Sequence, residues 1–138
     1  MPVTQNKVVT PQTPRSSSGV VTAANSTYGD TPTNTAVIFT AGPNGARVSR
    51  ISAVARASIG ATELQLFRDH DGLGTVRRFM ESKTLPALTV AQTAGQAPVD
   101  FGYSDGKPVI LAPNEKLYGA SGVALAAGIV FTVEGADF

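Results

Sequence analysis

From residue 36 onward the chain is built of short runs in which apolar and polar residues alternate, most of them closed by glycine, proline or asparagine. A period of two marks strands that bury one face. "TAVIFTA" (35–41) is a β-branched and aromatic run that ends at the turn "GPNG". "ARVSRISAVARA" (46–57) alternates too, but Val48 and Ile51 fall out of phase, which predicts a bulge near Ser49 and Arg50. "TELQLFRD" (62–69) sets Leu64 and Leu66 on one face and Glu63, Gln65 and Phe67 on the other. "TVRRFMESKTL" (75–85) sets Val76, Arg78 and Met80 opposite Arg77, Phe79 and Glu81. Further strands are predicted in "PVDFGY" (98–103), "PVILA" (108–112), "KLYGAS" (116–121) and "AGIVFTVEG" (127–135), where Ile129, Phe131 and Val133 share a face. Only "LPALTVAQTA" (85–94) has room for a helical turn, and Pro86 opposes it. About eight short strands in about a hundred residues, without a βαβ alternation, predict an all-β fold. The expected architecture is a jelly-roll-like β-sandwich over residues 36–138.

Residues 1–35 read differently. They hold four of the nine prolines and no leucine, isoleucine or phenylalanine. Such a segment buries too little apolar surface to offset its own ordering entropy. One reading is a disordered tail. The other is an extended N-terminal arm that adds strand-like contacts to a neighbouring molecule. On the second reading Val8, Val9, Val20, Val21 and Tyr28, its sizeable apolar groups beyond the first few residues, are the partner-binding anchors.

Composition narrows the function classes. Charges are few and nearly balanced, with 11 basic and 10 acidic residues. That argues against a nucleic-acid partner or a membrane surface, both of which need a concentrated basic face. Without cysteine there is no disulfide framework and no thiolate chemistry. "VALAAGIVF" (123–131) is about half the length needed to span a bilayer. The opening residues lack the apolar run of a secretory signal, so synthesis and assembly in the cytoplasm are expected. The charges are unevenly placed: residues 46–83 carry seven basic and four acidic groups, and residues 98–138 two basic and five acidic. Complementary patches of this kind steer subunits together, or else are used up in pairs within one molecule.

Candidate chemistry is thin. His70, the single histidine, lies in "RDHDGLGT" between two predicted strands, an exposed and poorly oriented place for a general base. Asp69, Asp71 and Gly72 echo the start of a calcium loop but lack its later ligands, and Asp-Gly is a common hairpin turn. The Gly-x-Gly of "DGLGTVR" has arginine at the third glycine position of a dinucleotide fingerprint. "NST" (25–27) matches a glycosylation acceptor, here read as a chance match in the absence of a secretory signal. No catalytic residue, metal site or cofactor is expected.

Three stretches in order carry a resemblance: "VIFTAGPNGARVSRISAVA" (37–55), "LQLFRDHDG" (64–72) leading into "RRFMESKTLPA" (77–87), and "PVILAPNEKLYGAS" (108–121). Their order resembles small β-sandwich virion proteins of tailed bacteriophages, especially the cement or decoration proteins of the capsid exterior. The resemblance implies a non-enzymatic jelly-roll subunit that binds the major capsid protein and itself, as a homodimer or homotrimer, and braces the shell. A minor tail or baseplate subunit is the alternative of the same class. A carbohydrate-binding jelly roll is the alternative from another class, weakened by the lack of tryptophan and by only three tyrosines.

Overall fold

The computed structural model describes residues 10–138, which form two antiparallel sheets packed face to face with no helix among them. The chain is an all-β sandwich. Its strands are β1 (Thr13–Val21), β2 (Ala36–Thr40), β3 (Ala46–Ala55), β4 (Thr62–Asp69), β5 (Arg78–Leu85), β6 (Val99–Asp100), β7 (Val109–Leu111), β8 (Lys116–Ser121) and β9 (Ile129–Asp137). One sheet runs β1-β9-β3-β6 with β7 also on β3, and the other runs β2-β8-β4-β5. The pairing is nested. β1 pairs with β9, β2 with β8, β3 with β7 and β4 with β5, so the chain folds back on itself about the β4–β5 turn.

Alternation in the sequence decides which side chains meet between the sheets. Ile129, Phe131 and Val133 of β9, Val48, Ile51 and Ala53 of β3, and Leu64 and Leu66 of β4 are all removed from solvent in one core. Phe101 stacks on Phe131 with ring centroids 6.2 Å apart. The phase change in β3 is a register shift against β9 between Val48 and Arg50, at the expected place. Residues 85–94 form no helical turn; Leu88 bridges Ile59 and Ala91 bridges Ala94. β5 begins at Arg78 rather than 75, and β6 keeps only two residues of the run expected over 98–103.

The boundary expected at residue 36 is not where the sheet begins. Residues 13–21, expected as part of an arm for other molecules, form β1 and pair with β9 of the same chain along all nine residues. The reason lies in the backbone. Without β1, one row of β9 amides and carbonyls would have no partner, and a strand poor in apolar residues satisfies it as well as a rich one. Only Val21 and Gly19 need to fit the core side, and they face Ile129 and Phe131 in register. Gly19 is required there because a Cβ would lie 2.6 Å from the Val37 carbonyl oxygen of β2. Arg15, on the same face, closes the sandwich edge. Its guanidinium lies 5.0 Å from the Phe39 ring centroid and 2.6 Å from Asp137, and it donates to the Thr40 carbonyl at 3.2 Å.

Candidate interaction surface

The expected anchors do not form one patch. Val8 and Val9 lie outside the described residues. Val21 is buried in the core, whereas its neighbour Val20 is 40% exposed on the outer face of the sheet, opposite Val130. Tyr28 sits elsewhere. After β1 the chain crosses to the outer face of the other sheet, where the Tyr28 ring meets Phe79 edge-on at 4.6 Å and Phe79 meets Phe67 at 5.7 Å. Thus the second half of the expected arm covers its own sandwich.

That crossing creates a second, small apolar layer. Phe67, Tyr118 and Ala120 are buried on the face of the four-stranded sheet that points away from the main core. Arg77 lies over the Tyr118 ring at 5.4 Å and donates to Thr35 Oγ1 at 2.6 Å, which holds the segment down. Asn25 pins it more firmly. The side-chain amide is buried, donates to Gln65 Oε1 at 2.6 Å and to the Thr27 carbonyl at 2.7 Å, and accepts from the Thr33 amide at 3.1 Å. Asn25 is therefore a structural peg and its nitrogen is already committed, contrary to what a glycosylation acceptor requires. Periodicity alone set Gln65 and Phe67 on the face opposite Leu64 and Leu66 without saying what covers it. The aromatic and amide residues of 25–28 were the available signal that something covers them.

The loop between β4 and β5 is organised by Asp69. Its buried carboxylate accepts from the backbone amides of Asp71 at 3.2 Å, Gly72 at 3.0 Å and Gly74. Gly72 and Gly74 take positive φ of 73° and 80°, which glycine reaches without strain. Burial alone pushes the Asp69 carboxyl up, but the hydrogen bonds from the side chain of Asp71 and these amides outweigh it and hold it below the usual carboxylate range. The Tyr118 hydroxyl is pushed up by burial and by the Asp69 charge. His70 projects from this loop, largely exposed, with Nδ1 3.0 Å from Glu115 Oε1. Glu115 is buried, receives Arg68 Nε at 2.6 Å on the same oxygen and the Ala112 amide at 2.7 Å on the other. The site is an ion-paired loop anchor, and no group of three metal-binding side chains occurs among the described residues.

The opposite charges of residues 46–83 and 98–138 meet inside the molecule. Arg68 pairs with Glu115, Arg50 with Asp100 at 3.4 Å, and Arg47 with Asp105 at 3.9 Å.

The four sheet edges differ in how open they are to another strand. β5 presents Arg78, Glu81 and Lys83 and has a register shift beside Phe67. β2 is five residues long and shifts register between Val37 and Phe39. β6 and β7 are two and three residues long. Charge, bulges and shortness are the usual protections against unwanted pairing. β1 has nine residues in unbroken register, and its one charge, Arg15, is tied inward to Asp137. Among the described residues, Pro14 at its start is the one blunting feature. Comparison of the chain with protein-family models, with curated proteins and with solved structures finds no match in any of the three.

Proposed function

We propose that this chain is a structural virion protein that binds the exterior of a tailed-phage capsid and cements adjacent major capsid proteins, using β1 as its docking strand. The observation that carries the reading is the contrast among the edges: three are blunted, and the long regular one belongs to the segment expected to hold neighbours. An added strand gains main-chain hydrogen bonds without needing apolar side chains, which suits "RSSSG". Many such subunits on one shell act through multivalency, so each contact need not be strong. The nested pairing of β1 with β9, β2 with β8, β3 with β7 and β4 with β5 supports a jelly-roll reading of the sandwich, the architecture that the resemblance implies.

The test is co-sedimentation of the purified protein with undecorated shells of the virus that encodes it, beside quantitation of the chain in mature virions. Saturable binding and a copy number comparable to that of the major capsid protein are the expected results. A chain present in only a few copies per particle places it in the tail instead, and its absence from particles overturns the reading.

A further inference from the structure

Beside Tyr28 the crossing segment and the β4–β5 sheet enclose a shallow cavity of about 440 Å³, within the size range of small-ligand sites. Asn25, Tyr28, Glu63, Gln65, Thr84 and Gly122 are among its walls. Gln65 is only 3% exposed, yet its Nε2 donates to no group among the described residues. The amide orientation is not arbitrary. Asn25 must turn its oxygen to the Thr33 amide and its nitrogen to the Thr27 carbonyl, so it meets Gln65 as a donor. Gln65 answers with Oε1 and is left with Nε2 at the cavity. Two residues along β4, Glu63 accepts from Thr84 at Oε1, and its Oε2 has no partner among the described residues. Tyr28 adds a ring that is half exposed, although it meets Phe79 on one side.

We infer that this cavity is a binding site for a neutral saccharide. An amide donor at the cavity surface with no partner among the described residues, a carboxylate acceptor and an aromatic ring match a ligand with vicinal hydroxyls on one side and C–H groups on the other. No lysine or arginine lines the cavity, and Glu63 at its wall repels phosphate, sulfate and carboxylate ligands. One carboxylate with spectators around it is too little for a divalent cation. The inference is independent of capsid binding and concerns a surface on the other sheet from β1.

The experiment is a ¹⁵N-resolved NMR titration of the full chain with maltotriose, lactose and chitotriose, following the Gln65 side-chain amide. One of the three sugars shifts that resonance and receives saturation transfer from the Tyr28 ring. Glu63→Gln and Tyr28→Ala each weaken binding by roughly five- to tenfold, the scale of one lost polar or stacking contact. Gly122→Leu abolishes it, because a Cβ at Gly122 already lies 3.8 Å from Gln65 Nε2 and the longer side chain covers the amide. If Gly122→Leu does not fold, the Glu63 and Tyr28 variants decide. No shift of the Gln65 amide with any of the sugars overturns the inference, as does binding that survives the substitutions.

Discussion

Asp69 shows how a residue that echoes the start of a calcium loop serves the backbone instead. Three amides converge on one buried carboxylate and, together with the Asp71 side chain, outweigh its desolvation and hold it below the ordinary 3.8. Because the folded value lies beneath the unfolded one, its stabilisation is complete above the unfolded value and is lost as the pH falls through the folded one. Asp69→Asn removes that contribution, so its unfolding free energy falls less steeply on acidification than the wild type's, as chemical denaturation at a series of pH values will read. At neutral pH Asp69→Ala destabilises by about 2–3 kcal/mol, since buried amides lose a charged acceptor. Glu115 is the companion case. Glu115→Ala strands Arg68, which is three-quarters buried, and lowers stability by about 3 kcal/mol, whereas His70→Ala, at an exposed group, leaves thermal stability nearly unchanged. The turn chemistry of "DHDG" was legible from residue types; the partnership with Glu115 was not, because it depends on β8 being laid beside β4 from 47 residues away.

At the scale of elements, the strands with apolar alternation were legible to within a few residues, down to the bulge in β3. β1 was not. Strand identity in "TPRSSSGVV" is conferred by β9, whose free hydrogen-bonding row selects any chain able to lie flat against it. The outer layer of Phe67, Tyr118 and Ala120 escaped for a related reason: alternation reports the two faces of a strand but not whether a loop covers the second. Truncation separates the two halves of the N-terminal segment. Removing residues 1–11 keeps β1, its pairing with β9 and the hydrogen bond from the Gln12 amide to the Asp137 carbonyl, and is expected to leave a single cooperative unfolding transition. Removing residues 1–30 strips β1 and Tyr28, bares β9 and yields aggregated protein, which size-exclusion chromatography will detect. Gly19→Val is expected to cost about 1–3 kcal/mol in urea denaturation, since its side chain must displace β2.

For the whole molecule, the sandwich presents among its described residues a long regular border on one sheet and the cavity beside Tyr28 on the other. Ser16→Lys with Ser18→Lys places two charges along β1 and is expected to reduce shell binding by at least about tenfold while leaving the fold intact, as the sites are exposed. The nested order of pairing also bears on how the chain folds. Among the described residues β1 precedes every other strand and pairs with β9, which follows all of them, so this pairing closes the longest loop of the sandwich. Among the described strands, only the β4–β5 hairpin at the centre joins neighbours in the sequence. Closing the longest loop costs the most chain entropy, so β1 is expected to join the sheet after the β4–β5 hairpin has formed, an order that pulsed hydrogen exchange will read.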